Sequence, residues 1–219
     1  MKLGLSADEV LSTTRAVRKR LDLTRPVEQQ VLDECLQLAL QGPSGSNSQR
    51  WHFLFVTDAE KRARIAGWYK SSFDAYAKSP HSPRGQHVDD PAMARTQERV
   101  LNSAEYLAAH LHEVPVFLIP CIEGRLEVQG AGNQSMLAGA YGSILPAVWS
   151  FMLAARERGL GTCWTTLHLP HEQDTAELLG IPYDEVTQVA LIPVAYTQGT
   201  EFKPAPRKPL DGVRHIDQW

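Results

Sequence analysis

From Val128 to Ala155 the chain carries no charged residue, and its apolar positions fall in two neighbouring columns. Met136, Ala140, Ile144, Val148 and Met152 recur every fourth residue, with Leu137, Tyr141, Leu145, Trp149 and Leu153 beside them. This recurrence predicts a long helix with a broad apolar face. The other face is small rather than charged (Ala138, Gly139, Gly142, Ser143, Ala147, Ala154), so a second backbone can approach it closely. The pattern therefore predicts a helix buried on all sides, in a chain of this size against a second subunit. The stretch also reaches the length of a membrane span, about 20 apolar residues. Asn133, Gln134, Ser135, Ser143 and Ser150, with Gly139, Gly142 and Pro146, dilute its hydrophobicity and favour the buried helix.

Elsewhere the periodicity predicts helices over Ala7–Arg18, Val27–Gln41, Glu60–Tyr76 and Met93–His112. The second starts after Pro26 and stops before Gly42-Pro43, and a short helix over Gln173–Leu179 stops at Gly180. HFLFVT (His52–Thr57), VPVFLIPC (Val114–Cys121), GLGTCWTT (Gly159–Thr166) and VTQVALIPV (Val186–Val194) are short apolar runs that read as strands. Helices and strands alternate as in an α/β or α+β layer.

Two stretches lack an apolar period. SPHSPRGQHVDDP (79–91) holds three prolines and a glycine and predicts an irregular, mobile loop, a candidate lid. TEFKPAPRKPLDGVRHIDQW (200–219) predicts an extended arm that either frays or wraps a partner. Its terminal Trp219 is a large apolar group to leave in water.

With 219 residues and 43% hydrophobic content the chain suits one domain, 1–219. The formal net charge of −3, with no dense basic block beyond Arg18-Lys19-Arg20, argues against nucleic acid as a partner. Cys35, Cys121 and Cys163 are far apart and form no CxxC pair, so neither a disulfide framework nor a zinc ribbon is expected. MKLGLSADEVLSTTRAVRKR carries acids and no continuous apolar core, unlike a secretory signal. These features predict a cytoplasmic protein without a membrane anchor.

The stretch GPSGSNSQRW (42–51) runs from predicted helix to predicted strand, where a plain connection needs about two to six residues. It lacks the GxSxG of a nucleophile elbow. His110 with His112, and His168 with His171, have poor spacing for a metal, Pro170 interrupting the second pair. No GxGxxG follows a strand into a helix, so no Rossmann site is predicted. The remaining polar anchors are Thr14–Arg18, the 42–51 loop, the backbone around Thr165 and Thr166, and Arg207 in the tail.

Taken in order, TRAVRKRLD, PSGSNSQRW, FLFVTD, the uncharged helix, RERGLGTCWTT, LGIPYDEVTQVALIPVAY and PRKPL resemble the FMN-dependent nitroreductase family over most of the chain. The resemblance implies an α+β fold with a central mixed or antiparallel sheet covered by helices. It also implies an intertwined homodimer with a C-terminal arm and FMN at the interface.

By the same resemblance, Arg15 and Arg18 grip the flavin, with Ala16 where a serine is common. Pro43, Ser44, Gly45 and Asn47 form a flavin-binding loop from the partner subunit, pinned by Gln49 and Trp51. Thr165, Thr166 and Leu167 offer backbone contacts, and Arg207 completes the phosphate site. The residue types suit these roles: guanidinium pairs match a phosphate dianion, and an Asn amide can read the donors and acceptors of a flavin edge. Taken singly, Arg18 in an RKR run also reads as a solvated face and Asn47 as a turn residue.

Arg50 departs from the family's loop, standing where a proline is usual, and would alter substrate charge preference. The implied activity is two-step hydride transfer from NADH or NADPH through FMN to a nitroaromatic, quinone or similar acceptor, with no catalytic side chain required. Dehalogenation, oxygen-dependent flavin chemistry and flavin storage are the alternatives. No nucleic acid, membrane or metal is expected.

Overall fold

The computed structural model describes residues 2–80, 82–83 and 90–219. Most of the loop read as a lid, 79–91, lies outside the described residues.

Helix α1 (Ala7–Thr13) opens with a capping box in which Ser6 and Glu9 satisfy each other's backbone N–H groups. It ends at Thr14, short of the expected Arg18. The Thr13 and Thr14 hydroxyls donate to the carbonyls of Glu9 and Val10 at 2.5 and 2.7 Å, an alternative hydrogen-bonding mode that weakens a helix end. The next residues pair with the sheet instead. Val17 N–H donates to Thr162 O at 2.8 Å, and Val17 and Leu21 are buried. Arg15 and Arg18 therefore lie on an extended segment rather than a helix end.

Helices α2 (Gln29–Ala39), α3 (Ala59–Lys78), α4 (Pro91–His110) and α6 (Gln134–Glu157) match the predicted positions closely. A single turn, α5 (Leu126–Gln129), and α7 (Glu172–Leu179) complete the α-helices among the described residues. Strands β1 (Trp51–Val56), β2 (Val116–Glu123), β3 (Leu160–Thr162), β4 (Val186–Gln188) and β5 (Ile192–Tyr196) form one antiparallel sheet. Its order is β1-β2-β5-β3, with β4 also on β2.

The sheet separates two apolar layers, and β2 shows why. Val116, Leu118 and Ile122 face a core shared with α2 and α6, whereas Phe117, Ile119 and Cys121 face one shared with α3 and α4. This is the period-two alternation of a strand covered on both sides. The turn that follows α2 approaches α6 closely at Gly42, where a Cβ would stand 3.1 Å from the Ala147 backbone.

The run expected as one strand over Val186–Val194 is broken in two. Cys121 pairs with Gln188 but Leu118 with Ile192, so three steps along β2 face four along the partner, which inserts a β-bulge. Pro120, which has no N–H for the ladder, sits at this slip and accepts from Val189 N–H at 2.9 Å. The bulge frees the Leu191 backbone to exchange hydrogen bonds with Thr165 at 2.9 and 3.1 Å. The strand expected over Gly159–Thr166 accordingly shortens to β3, and Thr165 is held by an isolated bridge.

Among the described residues, α6 alone is long and apolar enough to cross a membrane. Ile144, Ala147, Val148 and Phe151 on it are fully buried against α2 and the sheet, which makes it a core helix. Its second apolar column faces outward in the chain, with Tyr141, Leu145 and Trp149 exposed at 37%, 38% and 41%.

Candidate functional site

The bulge at Leu191 fixes the strip Trp164–Leu167 as one wall of a cleft of about 290 Å³. Tyr69, Phe73 and Tyr76 of α3 form a second wall, at the i, i+4, i+7 spacing of one helix face. Val100, Leu101 and Ala104 of α4 form a third, and Arg18 supplies the cation. The Arg18 guanidinium donates to Ser103 Oγ at 3.1 Å and lies beside the Cys163 thiol. Burial pushes the Cys163 thiol and the Tyr69 phenol above their ordinary pKa values, so both stay protonated at neutral pH.

Arg18, Thr165, Thr166 and Leu167 are thus brought together. Ala16, by contrast, is joined to Thr162 by a parallel bridge. Arg15 is exposed, and its guanidinium donates to Lys203 O at 3.0 Å, at the start of the tail. Arg20 and Arg156 flank Phe202 at 4.2 and 5.0 Å, so the tail is anchored as far as this point. Arg207 follows in an exposed stretch, donating only to Pro206 O among its described contacts.

The loop Pro43, Ser44, Gly45, Asn47 and Gln49 does not line this chain's cleft. It sits on α6, with Gly45 N–H donating to Ser143 Oγ at 2.9 Å. Gly45 is therefore small where it meets α6: a Cβ there would be 3.3 Å from Ser143 Oγ. Ser46, Asn47 and Gln49 all have left-handed backbones, with φ of 53°, 52° and 50°. Non-glycine residues adopt that region at an energetic cost, and such strain concentrates at binding sites. Gln49 supports the loop by donating from its N–H to Ser44 Oγ at 3.2 Å and from its amide to Asn47 Oδ1 at 3.0 Å. Trp51 is buried in the α2/α6 core.

A second polar cluster lies under α7. Arg125 donates twice to Glu172 at 3.0 Å with both side chains nearly buried, and the Gln188 amide donates to Glu172 O at 2.9 Å. His168 beside Gln188 is fully buried, and burial lowers its pKa to about 3, an effect that Gln188 only partly opposes. Sequence reasoning identified neither this cluster nor the cleft walls from α3 and α4. The signal for the α3 wall was an aromatic face at helical spacing, and for the α4 wall a short aliphatic one, and both equally describe core packing. Cys35, Cys121 and Cys163 are free and buried.

An antiparallel sheet covered by helices on both faces, with a cationic, aromatic cleft at one side, defines an α+β fold of nitroreductase type. The fold is shared with a crystal structure of oxidized iodotyrosine deiodinase bound to FMN and 3-iodo-L-tyrosine, at TM-score 0.69 and 20% identity. That match covers 97% of this chain and 98% of that one. The model of the nitroreductase family matches residues 11–196, and the chain belongs to that family of flavoproteins.

Relatives include a nitrobenzene nitroreductase of Ectopseudomonas oleovorans, 28% identical over 76% of this chain and 81% of its own. A 5,6-dimethylbenzimidazole synthase of Rhodospirillum rubrum is 27% identical over 72% of this chain and 67% of its own.

Proposed function

We propose that residues 1–219 form one FMN-binding domain of a cytoplasmic, homodimeric oxidoreductase. In this reading it takes electrons from NADH or NADPH and delivers them to a nitroaromatic, quinone or similar small oxidised acceptor. The observation that carries the reading is the convergence of Arg18 with Thr165–Leu167 on an aromatic-walled cleft.

The residues present suit FMN. Arg15 and Arg207 are exposed and spend their described hydrogen bonds on backbone carbonyls, leaving guanidinium N–H groups for a phosphate. Arg18 reaches the cleft with positive charge, which stabilises an anionic reduced ring. The strained 44–49 loop presents amide groups beside the exposed Tyr141, Leu145 and Trp149 of α6, so a second chain docked on that face would meet the loop. When bound, FMN supplies a two-electron hydride relay between donor and acceptor. The side chains bind, orient and exclude water: Tyr69, Phe73 and Trp164 provide a dry wall for a planar group. No side-chain acid or base is required.

The relatives' names divide between nitroreduction and other reactions, so the test includes several acceptors. Purified protein is expected to be yellow, with one FMN per chain. It should bleach anaerobically with NADH or NADPH and recover its colour with a nitroaromatic or quinone. Colourless protein that takes up no FMN overturns the reading. Bound FMN that no nicotinamide donor reduces identifies a storage protein or a different flavin chemistry.

A further inference from the structure

Just outside the cleft, on the solvent face of α4, Lys19, Glu98, Arg99, Asn102 and Ser103 line a groove of about 360 Å³. It continues past Arg99 into a second depression bordered by Arg95 and Thr96. Groove and cleft meet at one bond, because Ser103 lines the groove and accepts from the cleft's Arg18 at 3.1 Å.

Arg95 and Arg99 are four apart on one helix, and like charges at that spacing destabilise a helix. Lys19 is brought to the same groove from the segment after α1, where it donates to Asn102 Oδ1. Among the described residues, Lys19, Arg95 and Arg99 make no ion pair, and Glu98 is the single carboxylate lining the groove. The buried guanidiniums of Arg125 and Arg158, by contrast, each have a carboxylate partner. Three cations against one carboxylate leave an excess of two positive charges at the mouth of the cleft.

We propose that this groove binds a phosphate monoester, the 2′-phosphate of NADPH, and so makes the enzyme select NADPH over NADH. The proposal rests on the donor role argued above and extends it to donor specificity. A monoester carries about −1.5 to −2 charges at neutral pH, which matches the groove's excess. Each pyrophosphate phosphorus, present in both donors, carries only about one. Arg95 and Arg99 offer guanidinium forks, Lys19 a point charge and the Asn102 amide a neutral donor. The FMN 5′-phosphate has the same chemistry, and the experiment separates the two.

On FMN-loaded protein, the ratio of kcat/KM for NADPH to that for NADH is measured in wild type, in the double variant Arg95→Gln/Arg99→Gln and in Lys19→Gln. Calorimetric titration with 2′,5′-ADP and with 5′-AMP reads the groove without turnover. Wild type is expected to favour NADPH and to bind 2′,5′-ADP more tightly than 5′-AMP. The double variant should lower the donor ratio at least about tenfold, chiefly through KM, and Lys19→Gln should shift it in the same direction.

An unchanged ratio in both variants overturns the proposal, as does equal binding of the two nucleotides. So does loss of FMN in step with the substitutions, which would assign the groove to the flavin phosphate. If neither donor reduces the flavin, the redox reading fails. Binding of 2′,5′-ADP that the variants weaken would still establish the phosphate site.

Discussion

Arg18 donates to Ser103 Oγ at 3.1 Å across 85 positions of sequence, tying the extended segment after α1 to α4. The bond orients the cleft's cation from behind and leaves the rest of the guanidinium for a ligand. Arg18→Ala should therefore weaken FMN by about 1.5–3 kcal/mol, the range for a hydrogen bond to a charged group. Arg18→Lys should recover little of this, because an ammonium cannot reproduce the fork that serves Ser103 and a ligand together. Fluorescence titration of apoprotein checks both variants, and wild-type affinity in Arg18→Ala would remove Arg18 from the flavin site.

His168 makes acid stability predictable. Its folded-state pKa of about 3 lies below the ~6.5 of an exposed imidazole. Between these values the unfolded chain binds a proton that the folded protein does not, so stability is lost as pH falls from about 6.5 toward 3. The slope contributed by this residue is at most about 1.4 kcal/mol per pH unit. Neither ring nitrogen has a hydrogen-bond partner among the described residues, and Gln188 beside the ring only partly offsets the cost of protonation. In urea titrations across this window His168→Leu should show a shallower dependence on pH than wild type, whatever its stability at neutral pH. Parallel slopes would refute the assignment.

Arg125 and Glu172 form the charge pair most sensitive to disruption. Glu172→Gln removes the nearly buried, two-pronged counter-ion of a guanidinium of 7% side-chain exposure and leaves it only the more exposed Glu127, which should destabilise the protein by up to about 3–5 kcal/mol. The apolar double replacement Arg125→Met/Glu172→Leu should lose less than Glu172→Gln alone, since no uncompensated charge stays buried. Chemical denaturation of the three proteins checks the order.

Local pattern made part of this architecture readable. The continuous apolar run of β2, buried on both of its faces, and the first apolar column of α6 are both where the sequence placed them. The pattern misled where tertiary contacts overrode it. Val17 and Leu21 continue a helical period, but Gly161 leaves room on β3 for their side chains, where a Cβ would stand 2.9 Å from both. The segment lies on the sheet in consequence. The break at Val189–Leu191 depends on Pro120, in a strand far away in sequence. For the site, Arg18 and Thr165–Leu167 were selected together only through family resemblance, because spacing alone cannot join distant segments. The Tyr69, Phe73 and Tyr76 wall was missed because a cleft-facing stripe and a core-facing stripe have the same period.

The exposed column of α6 bears on the dimer and the flavin at once. A Cβ added at Gly139 or Gly142 would meet nothing within 4 Å in the chain itself, so a larger side chain there leaves the fold of one chain unstrained. Tyr141, Leu145 and Trp149 beside them, with Leu38 and Leu40 near the end of α2, are exposed apolar groups that a second copy would cover. Gly142→Glu would place a carboxylate in that contact and should abolish the dimer. Because the 44–49 loop rests on Ser143 of the same helix, flavin should leave with it. Light scattering with a flavin absorbance trace, and circular dichroism to confirm folding, measures all three properties. A folded Gly142→Glu monomer that keeps stoichiometric FMN would show the site to be complete within one chain. A folded, colourless monomer would establish that the cleft's Arg18 and the strained loop act across the subunit boundary.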